Sequence, residues 1–341
     1  MTRQQSQMMK GVAILLMIFL HLFNQESNVA LCHNLLFVDG TPLVSILSRA
    51  ANPVAFFLIL GGYGLYRAYE KGDRHRWSRL LKLMIHYWVI LLIFVTVGHF
   101  IQPYAYPGSF LKILSNVSGY QTTYNGEMWF LLPYVILSAC SKPLFGFIKR
   151  FRAWQVVTVT LFIHLVTSYC ISRYGAEFLY SNYWAYDPLL VFHFLFNFCL
   201  GAMTARCNFF ERLSARIGKI RHIGILGLSG VIVLVSISCV FKYNYFYAFG
   251  IITCLLFVKM PHRIKTTLGK LGDQSMNMWM IHSWFCYYLF HYFIYSFEYP
   301  PLIFVVVTVI SYACSLIVNK ITFPVERLFM RKHEALEKPI L

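Results

Sequence analysis

The sequence predicts an all-α, polytopic integral membrane protein of about ten transmembrane helices, and three observations carry that prediction. Hydrophobic residues make up 58% of the 341 and charged residues only 13%, against roughly 45–50% and about 25% in soluble domains. Apolar runs recur along the chain, most of them close to the about 20 residues that cross a bilayer. Between the runs, Lys and Arg crowd into alternate loops. The net charge of +17 taken alone would suggest a nucleic-acid partner. With no soluble face to display it, that charge reads as an orientation code, and nucleic acid is excluded as a partner. The nine cysteines are scattered with no CxxC pair, so neither a disulfide framework nor a zinc site is indicated.

The first run, 8–24, follows a basic start and looks like a signal peptide. No small-x-small cleavage site follows and many more runs do, so it reads as a retained helix. The second, 53–69, opens on Pro53. The third and fourth, 80–100 and 128–147, carry Trp and Tyr at their ends, as interfacial anchors do. The fifth to seventh cover 154–172, 188–206 and 222–241, with Asp187 as a helix cap before Pro188. The eighth, 244–258, is short. The ninth, 275–296, opens on Ser275 as a cap, and the tenth covers 300–320. Residues 1–325 then form one transmembrane domain and 326–341 a short cytoplasmic tail. In this arrangement all Lys and Arg except Arg49, Lys112, Arg173 and Lys242 fall on one side, which makes both termini cytoplasmic. The long outer loops, 24–52 and 101–127, are rich in Tyr, Asn, Ser and Gly and suit a polar, hydroxyl-bearing ligand.

Few residues in such a chain can carry chemistry. His21 lies inside the first run, where ionisable groups are costly and tend to mark function. Lys10 is eleven positions earlier. At about 100° and 1.5 Å per residue the two share a helix face and stand ~16 Å apart along it. Arg76, Arg79 and Lys82 recur every three residues and form a cationic ridge, and the Arg fork suits phosphate. Glu127 opens the fourth span beside Trp129, where it could orient His21 or bind hydroxyls. Trp129 and His282, the latter inside the ninth span, are candidates for contacting substrate. No Ser-His-Asp order, Gly-rich phosphate loop or metal-ligand cluster is visible, so no metal is expected.

Together these residues resemble acyltransferase family 3, the bacterial integral-membrane O-acyltransferases that modify surface glycans. The family's first helix carries Arg or Lys, ten residues, then His, as Lys10 to His21 does. Its Arg-x-x-Arg pattern fits in two registers, Arg76-Trp-Ser-Arg79 and Arg79-Leu-Leu-Lys82. The second better matches the distance to Tyr87-Trp88, although Ile85 and His86 replace the family's Pro-x. Softer echoes are PVAFFLILGGYGLY (53–66), GEMWFLLPYVIL (126–137), FHFLFNFCLGAMTAR (192–206) and LGDQSMNMWMIH (271–282), so the resemblance spans about 8–330. It implies a protein of the bacterial plasma membrane that uses acetyl-CoA or another acyl-CoA as donor. The donor's phosphates would be held by Lys10, Arg76, Arg79 and Lys82. His21 would take the proton of an acceptor hydroxyl on a glycan, with a covalent acyl-His route and self-association into a homo-oligomer left open. The rival classes are a transporter or exporter of a polysaccharide or small solute, and a non-catalytic partner of a synthase. A transporter would show internal repeats or paired broken helices, and neither is seen.

Overall fold

The computed structural model describes residues 1–72, 75–241 and 245–336, with side chains up to Phe329. Of the residues placed above, Arg74, Lys242 and the end of the tail beyond Leu336 lie outside the described residues. In chain order the helices are α1 (Arg3–Phe23), α2 (Glu26–Ala30), α3 (Leu43–Arg49), α4 (Pro53–Glu70), α5 (Arg76–Ile101), α6 (Phe110–Ser118), α7 (Leu131–Ala139) and α8 (Ser141–Ile148). They continue with α9 (Ala153–Tyr174), α10 (Tyr183–Arg206), α11 (Phe209–Ile217), α12 (Ile223–Val240), α13 (Tyr247–Leu255), α14 (His262–Cys286), α15 (His291–Tyr295) and α16 (Pro300–Leu336). A 3-10 turn, Gly126–Phe130, leads into α7. A two-residue antiparallel ladder pairs Phe37 with Pro42 and Val38 with Thr41. The all-α expectation therefore holds.

Among the described residues, seven helices are long and apolar enough to cross a membrane: α1, Leu43–Glu70, α5, α9, α10, α12 and Pro300–Phe329. The segment Gly126–Ala139 with Ser141–Ile148 makes an eighth if that bent pair is one span. Its two parts meet at 57°. Pro143 sits in the first turn of α8 and has no N–H to give to Ala139, so the hydrogen-bond ladder breaks there. The expected eighth run forms only the nine-residue α13. The expected ninth begins well before Ser275, at His262, and stops at Cys286. Its first half carries Arg263, Lys265, Lys270 and Asp273, which lowers its apolarity without stopping the helix. Ser275 is therefore not a cap: its hydroxyl donates back to the Gly272 carbonyl at 2.8 Å, within the helix. Asp187 likewise lies inside α10, whose first turn starts at Tyr183.

α1 is the axis of the bundle. Thr2 and Gln5 form a capping box at its start, and Ala13, Ile14, Ile18, Leu22 and Phe23 are wholly buried. It packs along α14 with backbones in contact. A Cβ on Gly11 would lie 2.1 Å from the Leu268 carbonyl oxygen, and one on Gly272 would lie 1.8 Å from that of Gln7. Only glycine fits at either position. Small residues give this close approach where lipid supplies no hydrophobic drive between helices. The crossing of α4 and α10 is built the same way, on Gly62 and Gly201.

Candidate functional site

The α1–α14 contact places two histidines edge to edge. His21, 6% exposed, and His282, fully buried, approach with Nδ1 of His21 2.6 Å from Nε2 of His282. On its other side, Nε2 of His21 lies 3.1 Å from a carboxylate oxygen of Glu127. The donors can be assigned. Nδ1 of His282 faces the Met278 and Trp279 carbonyls at 3.0 and 2.9 Å, so it carries a hydrogen. In the neutral ring Nε2 of His282 is then an acceptor, and Nδ1–H of His21 donates to it. Nε2 of His21 is left facing the Glu127 carboxyl.

The turn that carries Glu127 is fixed by α14. The Gly126 N–H donates to the Tyr288 hydroxyl at 2.7 Å. Asn125 accepts from Ser283 at 2.9 Å and donates to the Met280 carbonyl at 3.3 Å. Tyr287, whose ring lies 5.8 Å from that of His21, donates to Asn24 at 2.8 Å.

The four cations singled out in the sequence converge on one cavity of about 390 Å³, lined by Lys10, Arg76, Arg79 and Lys82 with Tyr134 and Ser275. Lys10 has no ion-pair partner among the described residues. Arg76 stacks over Trp77 at 4.9 Å, and its Nη1 is buried without a hydrogen-bond partner. Lys82 is already engaged, 2.9 Å from the Glu326 carboxylate. The other oxygen of Glu326 lies 2.5 Å from Nε2 of His86, whose Nδ1 donates to Asn277 at 2.7 Å. Asn277 in turn donates to Asn319 at 3.0 Å. This chain of polar groups ties α5, α14 and α16 together. It is absent from the sequence reading, where His86 only departs from the family's Pro-x and Glu326 opens the tail. The signal present was an acid at the end of an apolar run, which is costly unless paired.

The cations and His21 do not line the same space. Phe130 and Trp279, centroids 5.4 Å apart, close the cationic cavity. The Trp279 carbonyl is one of those held by His282, and Phe130 follows Glu127 by three residues. Trp129 points the other way, into a second cavity, with Leu20, Asn52 and Phe194. Phe194 packs on Trp129 at 5.7 Å and on Phe130 at 5.4 Å. The two cavities share no lining residue. A single 3-10 turn thus sends Glu127 to His21, Trp129 to one chamber and Phe130 to the other. His282 lines neither chamber and touches His21 instead.

A profile described as an acyltransferase domain, that of acyltransferase family 3, matches residues 5–320. No curated protein and no solved structure matches the chain. The match runs over nearly the whole length, through α1 with His21 and the cationic ridge of α5, and the chain belongs to acyltransferase family 3.

Proposed function

We propose that this membrane acyltransferase moves an acyl group, acetyl in the first instance, from cytosolic acyl-CoA to a hydroxyl of a cell-surface glycan. The observation that carries this reading is the convergence of Lys10, Arg76, Arg79 and Lys82 on one cavity whose lining includes Trp279, the residue whose carbonyl is held by His282 beside His21. A cluster of cations suits a donor with several phosphates, and the Arg forks can hold them bidentately. The cavity also has the size of ordinary ligand sites, which run about 300–1,000 Å³.

The acyl end reaches toward His21, and the acceptor hydroxyl comes to Nε2. Nδ1 is committed to His282, so Nε2, which faces Glu127, is the nitrogen left to meet the hydroxyl. The hydroxyl oxygen attacks the thioester carbonyl carbon, the C–O bond forms and the C–S bond breaks. The hydroxyl proton passes through Nε2 to the leaving sulfur, so the products are an ester and a free thiol. Glu127 faces the imidazolium while it exists, and His282 sets the ring's orientation. On this reading both termini are cytoplasmic, ten segments cross or enter the plasma membrane of a bacterium, and donor and acceptor arrive from opposite sides.

The test is transfer of labelled acetyl from acetyl-CoA in membranes, wild type against His21→Ala, with identification of the labelled product. The expected result is a labelled glycan from wild type and none from the variant, which still inserts. Transfer retained by His21→Ala overturns the base assignment. No transfer by wild type from acetyl-CoA or longer acyl-CoA overturns the donor.

A further inference from the structure

The second cavity holds about 380 Å³ between the start of α4, α9, α10 and Trp129. Among the described residues no Lys, Arg, Asp or Glu lines it, in contrast to the four cations of the first. What it offers instead are uncharged polar groups, the side chains of Asn52, His164, Ser168, His193, Asn197 and Tyr245, which both donate and accept. Asn197, 7% exposed, lines it, with its side-chain oxygen buried and without a partner. His164 commits Nδ1–H to the His193 carbonyl at 2.8 Å, so in the neutral ring its Nε2 keeps a lone pair. The Thr167 hydroxyl has one hydrogen, given to the Ile163 and His164 carbonyls at 2.9 and 3.0 Å. It therefore accepts from Nδ1–H of His193 at 3.2 Å, and the Nε2 of His193 is left with a lone pair as well. The two imidazoles stack at 4.0 Å.

Two lone-pair nitrogens beside amide and hydroxyl groups call for a ligand that both gives and accepts hydrogen bonds. A lipid tail would leave these groups unpaired at a cost. Among the described residues, a phosphate or carboxylate would meet no Lys or Arg here, and an ammonium would meet no carboxylate. Hydroxyl groups fit. The ring of Trp129, 37% exposed, adds a flat apolar face for the C–H side of a sugar ring. Leu20, the neighbour of His21, lines the same space. We infer that this cavity binds a neutral, hydroxyl-rich ring and is the acceptor's site, a conclusion that rests on the hydroxyl-acylation reading above.

The test uses the full chain in nanodiscs. Saturation-transfer NMR would probe neutral methyl glycosides of hexose, pentose and N-acetylhexosamine, with myo-inositol and glycerol, beside a methyl glucuronide and a glucosamine. At least one neutral probe should bind wild type, with the charged pair binding weakest. Asn197→Leu, which removes the amide, and Ser168→Trp, which fills the cavity, should each weaken that binding about tenfold. Arg79→Ala, on the other cavity, should leave glycoside binding as it was. Thermal unfolding on each preparation identifies a variant that has failed to fold, and the other variant then decides. No neutral probe bound by wild type, charged probes bound as well as neutral ones, or equal binding by the folded variants overturns the inference. If glycosides behave as expected but coenzyme A does not bind wild type, this site stands and the donor reading falls. If acetyl transfer runs and glycoside binding ignores the variants, this inference alone falls.

Discussion

His21 uses both ring nitrogens, one on each of two partners, so each partner can be removed separately. His282→Ala takes away the acceptor for Nδ1–H and leaves that donor buried and unpaired, at a cost of about 1–3 kcal/mol. The ring is then free to turn. We expect kcat to fall about ten- to a hundredfold, with the donor KM unchanged, read by transfer kinetics in membranes. On the cationic side, Arg79→Ala should raise the KM for acyl-CoA by about tenfold and leave the acceptor KM alone. Equal rises in both would remove Arg79 from the donor site. His21, Glu127 and the cationic ridge were legible in the sequence, because a charged group inside an apolar run stands out by its cost. The bond from His21 to His282 was not, because 261 positions separate the two and no local pattern encodes a contact between α1 and α14. Lys82 shows the same limit. Its place on the ridge was readable, but its partner Glu326 comes from the other end of the chain.

At the scale of elements, the site depends on how closely α1 and α14 approach. Gly272→Leu would drive a side chain into the Gln7 carbonyl and force the helices apart. Overpacking of this kind costs about 1–3 kcal/mol, and it would also separate His282 from His21. The expected outcome is a lower unfolding temperature in detergent together with lost transfer. Full activity at wild-type stability would show that the crossing does not set the site. The helices themselves were mostly readable from apolar runs, because a bilayer fixes their length. The failures share one cause. Hydropathy reports contact with lipid, and α14 is buried by other helices over its second half, so its cationic beginning hid where it starts. The bend at Pro143 was equally invisible to a count of apolar residues.

At the scale of the whole molecule, the positive-inside pattern makes a definite claim about sides. In a cysteine-free background, Tyr104→Cys, in a loop assigned outside, should react with an impermeant maleimide in intact cells. Arg212→Cys, on the basic side, should react only after permeabilisation. Both positions are exposed, so access alone separates them, and the reverse labelling would invert the topology. The sequence could supply this because charge is counted by side. The existence of two chambers was beyond it, since Lys10 and Arg76 enclose a space only once α1, α4, α5 and α14 are assembled.

The wall made by Phe130, Trp279 and Phe194 has an electrical consequence. If water fills the chambers from opposite faces, nearly all of the transmembrane potential falls across those few rings. Any unit charge driven through them would then gain or lose about 2.3 kcal/mol per 100 mV. Exchange of the acyl group for the hydroxyl's proton moves no net charge across the wall, so it carries no such penalty. The thin wall therefore favours a cycle in which every phosphate stays on one side. Turnover would then run at the same rate in an energised membrane and in one whose potential has collapsed.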